Sequence, residues 1–505
     1  MFFTLYFLKK FFSKMSHCLK VYLLLTLIFS NYFLSNIWIE PSDEFKIKKI
    51  ELYAAEKNIN IRSLTYPLTL SSLKNSSSYG SLLLSEKIAL NTLIDKNFKK
   101  EKKYSSLTVS SFSDNSMIKN IDDNWTGQNS FILKNSYTTN NFSMNLNLHL
   151  IDGSYDEKKI ILNGSHISFT KWHVIFGFGF IDRWWGPTHN NNLILSNYAN
   201  PSPGIFINSL QGFEFENRLL ARLGKIDFSF FINRLEKNRH VPNAFLIGTR
   251  VTFNPLNNLH LGLSRTIMTG GEGKSESFNT LYKVLFESGG GSGENPRVRG
   301  EYIGTNLSNQ LGGYDIKYDI KFKENIASIY FQRIGEDSDT SKTSLISSYI
   351  STLGAEFKFF KNDLLNSIIL EFSKTSTEDN WAYTKYNVTY VHNVYQSGYR
   401  YRGLPIGAFI DSDSKYAQLS FLKEISDNSH FKMDLFYAEP NVDESGTSIW
   451  GSSGEPFYGL KTKYKTQVTK KLTMELVLTL SDKKLSFLDE KLDKNILGLI
   501  TEYSF

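Results

Sequence analysis

The segment Phe142-Ser-Met-Asn-Leu-Asn-Leu-His-Leu150 alternates an apolar side chain with a polar one at every step. A period of two predicts a β-strand with one apolar and one polar face. The pattern recurs at Tyr314–Phe322 and Leu472–Leu480, and it extends from about Tyr104 to the last residue. Soluble sandwiches also contain such strands, but many strands of about ten residues are typical of tilted membrane crossings.

The connections between these strands alternate between short and long. Short turn signals occur at Thr139–Asn141, Thr170–Lys171, Leu223–Lys225, Pro255–Asn258, Lys323–Asn325, Lys361–Asp363, Ser426–Asn428 and Val468–Lys471. Long polar connections occur at Ser113–Thr126, Trp184–Gly204, Gly270–Gln310, Ser376–Ser414 and Glu439–Glu455. Outer-membrane barrels have short periplasmic turns and long outer loops. Tracing the alternation gives eighteen strands, an even number that returns the C-terminus to the periplasmic end.

The final strand carries the strongest local signal. Leu497, Leu499, Tyr503 and Phe505 share one apolar face, and the sequence stops on Phe505. A terminal aromatic residue in register with an apolar face is what the bacterial barrel-assembly machinery recognises. We therefore predict that Tyr503 and Phe505 form the membrane-insertion signal.

The N-terminal residues 1–35 have the features of a secretory signal peptide. Lysines precede an apolar stretch, Val21–Phe29, and small residues follow it, so we expect cleavage near residues 30–36. Met1 and Met15 are both possible starts, and an uncleaved anchor helix is disfavoured by the short apolar core. Removing this segment takes away the single cysteine, Cys18, and lowers the net charge from +7 to about +3.

Residues 36–103 form a predicted N-terminal, periplasmic helical region. Asp43–Lys57 and Ser81–Ile94 carry apolar residues at helical spacing, and the Ser-rich segment Ser71–Ser78 joins them. Residues 104–505 form the predicted barrel. The fold class is therefore an all-β transmembrane protein, an eighteen-stranded antiparallel outer-membrane β-barrel with a small N-terminal α-helical region.

Several sequence blocks resemble the capsule assembly Wzi family. They are Asp182-Arg-Trp-Trp-Gly-Pro187 with Leu193–Asn197 and Pro201–Pro203, Arg239–Ala244 with Leu259–Arg265 and Gly270–Gly273, Asn309–Asp315 with Ile334–Asp337, and Tyr395–Asp411. The resemblance implies an eighteen-stranded barrel with a lectin-like role, which holds capsular or extracellular polysaccharide at the cell surface. The chain departs from the family at Thr188 and His189, where Gly-Trp is common, and in a helix-like insertion at Phe278–Glu287.

Two groups of side chains suit polysaccharide, because aromatic faces stack on sugars while guanidinium and amide groups bind hydroxyls or uronates. The first group is Arg183, Trp184, Trp185, His189 and Asn190, and the second is Tyr399, Arg400 and Arg402. Each group has a structural alternative. The tryptophans also suit the outer aromatic girdle of a barrel, and the Tyr–Arg segment also suits a loop that plugs the lumen.

Nothing in the sequence indicates catalysis. The zinc-peptidase and serine-hydrolase motifs are absent, and Asp411-Ser-Asp413 is read as a flexible acidic loop tip rather than a metal site. We expect no enzyme activity, cofactor, metal or nucleic-acid partner. The expected partners are capsular or extracellular polysaccharide, outer-membrane lipid and the barrel-assembly machinery, and we expect the barrel to be a monomer. A porin or exporter and a barrel-embedded hydrolase are the alternatives.

Overall fold

The structure is a computed structural model. It describes residues 38–56, 64–69 and 101–505, apart from 124–126, 140, 154–158, 211, 287–296, 299–300, 303–307, 323–324, 339–345, 363, 380–382, 427, 445–447, 452–453 and 489. The predicted signal peptide, the Ser-rich segment and the predicted helix Ser81–Ile94 lie outside these residues.

Eighteen antiparallel strands form one closed barrel, as the alternation predicts. They are β1 Glu101–Phe112, β2 Asn129–Thr139, β3 Phe142–Asp152, β4 His166–Lys171, β5 Val174–Gly179, β6 Gly204–Ser209, β7 Lys225–Arg234, β8 Phe245–Leu256, β9 Leu259–Thr269, β10 Ser308–Phe322, β11 Asn325–Ser338, β12 Ile346–Lys361, β13 Leu364–Asp379, β14 Lys415–Ser426, β15 Ser429–Glu439, β16 Phe457–Gln467, β17 Leu472–Ser481 and β18 Asn495–Ser504. Each strand pairs with its neighbour in the chain, and β18 closes on β1 from Gly498 opposite Phe112 to Ser504 opposite Ser106.

Short and long connections lie at opposite ends of the barrel, here called the short-turn end and the long-loop end. Six of the eight predicted short turns coincide with junctions between consecutive strands. Thr170–Lys171 instead ends β4, and the turn is Trp172–His173, whose positive φ values of 52° and 64° suit a tight hairpin. Leu223–Lys225 is only the end of a longer connection, 210–224, which contains a short 3₁₀ helix, Leu220–Leu223.

The two faces of the wall have opposite character. Lumen-facing residues are buried and often polar, as Asn145, Ser229 and Gln418 illustrate, whereas Ile205 and Leu263 face outward and are exposed. A soluble barrel has the reverse distribution, because water surrounds it. An outward apolar belt around a polar interior is the distribution expected when lipid surrounds the wall.

Glycines make room for large rings on the lumen face. A lumen-facing ring lies directly opposite a glycine at Phe206/Gly177, Phe231/Gly248, Tyr330/Gly354, Phe436/Gly459 and Phe112/Gly498. A Cβ atom added at Gly354 would lie 2.2 Å from the Tyr330 ring. Because glycine lacks this atom, each ring can lie flat across the neighbouring strand instead of projecting into the lumen.

The first helix, α1, lies inside the barrel. It spans Glu44–Glu56, which confirms the helix predicted at Asp43–Lys57. Leu52 packs against Ile326 and Leu365, which follow two of the short turns, so α1 occupies the short-turn end of the lumen. Among the helices that the structure describes, none has the length and apolar character needed to cross a bilayer.

We expect the long-loop end to face the outside of the cell. An epitope inserted after the exposed Gly273 should be labelled by antibody on intact cells, whereas one inserted after the exposed Lys470 should be labelled only after permeabilisation. Gly273 is chosen because it lies in an exposed loop where a Cβ would meet no atom within 4 Å, so the surroundings leave space for an inserted segment. Labelling of the Lys470 epitope on intact cells would reverse the assigned orientation.

We also expect Phe505 to promote insertion. Its backbone N–H donates to Ser105 O at 3.0 Å, and its ring lies 5.3 Å from that of Tyr503, which faces outward. Deleting Phe505 removes one backbone hydrogen bond and one aromatic side chain. Many other hydrogen bonds between strands hold the wall together, so a barrel that has folded should lose little stability. The level of heat-modifiable barrel in the outer membrane should nevertheless fall, and an unchanged level would refute the proposed signal.

Candidate functional site

The Arg-Trp-Trp motif enters the lumen directly after β5. Trp184–Trp185 pairs as a short strand with Thr65–Tyr66. The two indole side chains are only 2% and 1% exposed. Trp184 Nε1 donates to the carbonyl of Thr188 at 2.6 Å, and the Trp185 ring packs 5.4 Å from Phe231. Both tryptophans therefore lie inside the barrel, and the alternative that places them in the outer girdle is wrong.

The charged residues of the motif are also withdrawn from bulk water. Arg183 lies 4.1 Å from the centre of the Phe231 ring and donates to Ile181 O at 3.2 Å. Burial lowers the pKa of Arg183 to about 9 and raises the pKa of Asp182 to about 7. The cavity beside them measures about 30 Å³, which accommodates water but not a sugar ring.

Barrel-wall side chains hold the inserted loop through its backbone. The two carboxylate oxygens of Glu371 accept hydrogen bonds from the N–H groups of His189 and Asn190, at 2.6 and 2.9 Å. Gln332 accepts from Leu193 N at 3.0 Å and donates to Trp185 O at 2.8 Å. These buried hydrogen bonds supply partners to backbone N–H and C=O groups of the loop that strand pairing does not satisfy. The loop is therefore fixed in place rather than free to move in the lumen.

A network of charges joins this loop to α1 and the wall. The His189 ring lies 3.4 Å from Glu44 and 3.3 Å from Glu356, and Lys48 also pairs with Glu356. Burial opposes ionisation of Glu44, but Lys432 and Lys48 lower its pKa to about 2. Burial and Lys48 disfavour a charged His189, yet Glu356 and Glu44 outweigh them and raise the pKa of His189 above its usual value.

The connection between β1 and β2 extends the network to strands β15 and β16 of the wall. Asp122 accepts from Lys432 at 2.9 Å and from Lys463 at 2.8 Å, and Asp123 accepts from Lys461 at 2.6 Å. Lys432 also donates to Glu44 of α1 at 2.7 Å. The polar interior is thus bridged by paired charges, and removing one partner of a buried pair is typically costly.

The second predicted group packs on the first. Tyr399 donates to Ile194 O at 2.8 Å, which joins the β13–β14 connection to the loop that follows β5. Arg400 donates to both carboxylate oxygens of the buried Asp411, each at 2.8 Å. Tyr399 and Arg400 are therefore buried in a loop that fills the lumen, as the alternative of a lumen-plugging loop predicts. The expectation of a flexible acidic loop tip is wrong, because both Asp411 and Asp413 are buried.

Arg402 is the member of the predicted set that comes nearest to the surface of the long-loop end. It is half-buried, and its backbone N–H donates to Glu236 at 3.2 Å. His240 N donates to Ser397 Oγ at 2.8 Å, so residues 236–240 and 394–402 lie side by side. We call these two segments the outer loop pair. Its exposed side chains are Lys237, Asn238, His240 and Gln396.

Sequence reasoning did not find the exposed members of the outer loop pair. The block Arg239–Ala244 attracted notice only for its family resemblance. Arg239 donates to Gly398 O at 3.2 Å and Arg400 O at 3.0 Å, so it holds the two segments together. These partners are about 160 residues away in the sequence, and local periodicity carries no signal for such contacts.

Comparison with known proteins gives a consistent result. The model of the family described as capsule assembly protein Wzi matches residues 99–496. The structure is similar to that of Wzi from Escherichia coli, described as a carbohydrate-binding β-barrel of the outer membrane involved in group 1 capsule assembly. The TM-score is 0.75 at 20% identity, covering 94% of this chain and 100% of that one.

A second relative is an uncharacterised 55.8 kDa protein in the cps region of Klebsiella pneumoniae. It is 28% identical over 179 residues, which are 35% of this chain and 33% of that protein. The match therefore spans about a third of that relative's length.

We expect His189 to stabilise the fold in a pH-dependent way. Because its folded-state pKa is raised, its contribution is fully present below the unfolded pKa and is lost as the pH rises through the folded one. His189→Asn should therefore lower the free energy of unfolding by about 1.5–3 kcal/mol at pH 5 and by much less at pH 9, and the thermal midpoint should fall accordingly.

The midpoint is measured by heat modifiability in detergent. His240→Asn is the matched control, since that ring is exposed, and it should leave both midpoints unchanged. An equal loss at both pH values for His189→Asn would mean that packing, not charge, explains the role of this residue.

Proposed function

The chain belongs to the Wzi family of capsule assembly proteins, and from this we propose that it holds capsular or extracellular polysaccharide at the bacterial surface without catalysis. The protein is an outer-membrane barrel. The observation that carries the proposal is the outer loop pair, where cationic, imidazole and amide groups are presented together at the long-loop end of a filled barrel.

The chemistry of the outer loop pair suits a hydroxylated, anionic polymer. Lys237 and Arg402 offer positive charge, and Asn238 and Gln396 offer amides for hydroxyl groups. Arg402 also lies 4.9 Å from the centre of the Tyr401 ring, which holds the guanidinium near an aromatic surface. Each contact of this kind contributes about 0.5–3 kcal/mol, so retention of a polymer depends on several contacts and on many barrels.

The other predicted site residues then have a positioning role. We assign direct contact to Arg402 and assign loop positioning to Arg183, Trp184, Trp185, His189, Asn190, Tyr399 and Arg400. The buried hydrogen bonds of Tyr399 and Arg400 support this division. Tyr399 bonds to the loop after β5, and Arg400 bonds to Asp411 within its own connection, so both side chains hold loops in place.

The filling of the lumen supports retention over passage of solutes. Helix α1 occupies the short-turn end, and the connections after β5 and β13 pack together in one core that includes Leu193, Tyr390 and Tyr399. A porin keeps a water-filled channel through its lumen. In planar bilayers we therefore expect low conductance from the intact chain.

The accessory assignments complete the proposal. Residues 1–35 act as a cleaved signal and residues 36–103 as the N-terminal region, whose last three residues already form the start of β1. Residues 104–505 form the rest of the barrel. Tyr503 and Phe505 are read by the barrel-assembly machinery, and the barrel acts as a monomer in outer-membrane lipid.

Retention of polysaccharide tests this function. A triple variant, Lys237→Ala, His240→Ala and Arg402→Ala, should shift polysaccharide from the cells to the medium without changing the total. A loss of 1.4 kcal/mol per site corresponds to about tenfold weaker binding, which multivalency will partly mask. The measurement is the ratio of cell-bound to released polymer, at equal levels of heat-modifiable barrel.

The matched control removes three cationic groups at the opposite end. Lys361, Lys470 and Lys471 are all exposed at short turns. The triple variant Lys361→Ala, Lys470→Ala and Lys471→Ala should leave polysaccharide retention unchanged. Normal retention by the outer triple variant would exclude the outer loop pair as the contact surface. Normal retention by cells that lack the whole chain would exclude the proposed function itself.

A further inference from the structure

The second helix, α2, lies on the outer surface of the barrel rather than in its lumen. It spans Phe278–Phe286, close to the insertion predicted at Phe278–Glu287. Val284 is fully buried against Ile247 and Ile267, which are directly opposite each other on β8 and β9. Arg250 of β8 faces the lumen, where it bonds to Thr65, so Ile247, three residues earlier, faces outward.

Both ends of α2 are held in place. Ser277 Oγ accepts from Thr280 N at 3.2 Å, as an N-cap does. Arg265, on the outward face of β9, donates to Val284 O at 2.9 Å and Leu285 O at 3.0 Å. A guanidinium bonded to the last carbonyls of a helix closes that end. The helix is therefore fixed against the wall along its length.

The helix presents three faces, as a step of about 100° per residue requires. The side formed by Leu281, Val284 and Leu285 packs on the wall. A neighbouring side carries three aromatic residues one turn apart: Phe278, Tyr282 and Phe286, which are 84%, 50% and 72% exposed. The remaining side is polar, with Asn279, Thr280 and Lys283.

The aromatic stripe continues the apolar belt of the barrel. Ile247 and Ile267 lie near the long-loop ends of their strands. Toward the short-turn end, the outward face continues with Arg265 and Thr249 and then with Leu263 and Val251, which are exposed to the surroundings of the wall. One side of α2 therefore packs on the wall, the second exposes aromatic residues and the third is polar. A helix at a membrane interface has such a separation of apolar and polar sides. Lys283, on the polar side, is placed to meet anionic headgroups.

We propose that α2 is an interfacial anchor that inserts Phe278, Tyr282 and Phe286 into the outer leaflet around the barrel. Lipid is the occupant because the stripe is continuous with the lipid-facing wall and is bordered by a cationic polar side. The anchor fixes the depth and tilt of the long-loop end relative to the headgroups. This role is independent of the polysaccharide contact proposed above.

Site-specific fluorescence tests the anchor. Single cysteines are introduced at Phe286, Lys283, Leu263 and Asn238 in a Cys18→Ser background, which removes the one native cysteine. Each is labelled with a polarity-sensitive fluorophore in the folded barrel, and the barrel is reconstituted in liposomes. A phospholipid with a nitroxide near the top of its acyl chain is then added as the quencher.

The probe at Phe286→Cys should emit at short wavelength and be quenched as strongly as the wall probe at Leu263→Cys. The probe at Lys283→Cys, on the polar side of the same helix, should be quenched much less, and the probe at Asn238→Cys, on an exposed loop, should stay quencher-insensitive. A water-like, unquenched signal at Phe286→Cys would overturn the proposal. So would a blue-shifted signal that is not quenched and disappears on dilution with lipid, because it would identify a second barrel as the occupant.

Discussion

The hydrogen bonds between β18 and β1 leave the sheet without a free edge, and the other features of the fold depend on that closure. In a bilayer an unpaired N–H or C=O group costs several kcal/mol, so a sheet can span it only as a closed cylinder. Closure also gives every strand one face toward lipid and one toward the lumen. The alternation of apolar and polar residues follows from this geometry rather than from any local preference of the backbone.

A barrel of eighteen strands encloses more space than its own lumen-facing side chains fill, and several of the described segments between or before the strands fold into it. Helix α1 enters at the short-turn end, and loops after β1, β5 and β13 enter from the other side. Their charges meet those of the wall: Glu44 with Lys432, Lys48 with Glu356, and Asp123 with Lys461. Buried charges are tolerated when paired, and here each pair also ties an inserted segment to the wall.

This internal packing separates the residues that build the protein from those that meet its surroundings. The Arg-Trp-Trp motif has the chemistry of a sugar site, yet its tryptophans are enclosed and its backbone is held by Gln332. The exposed chemistry comes from two less distinctive segments, the outer loop pair at the long-loop end and α2 on the wall. We propose that the first meets polymer outside the cell and that the second meets lipid.

The sequence by itself determined most of the short turns, the first helix and the family, because these depend on local periodicity, turn residues and contiguous motifs. The strand number came from the alternation together with the family resemblance. Only the tertiary structure decided where Trp184 and Arg400 lie, because burial depends on which loops fold inward. It likewise decided that glycines such as Gly354 face rings such as Tyr330, since strand register brings together residues that are distant in the chain. The same aromatic and guanidinium groups suit a sugar surface and a packed plug. Their local chemistry is identical in the two cases, and only the three-dimensional arrangement of the loops distinguishes them.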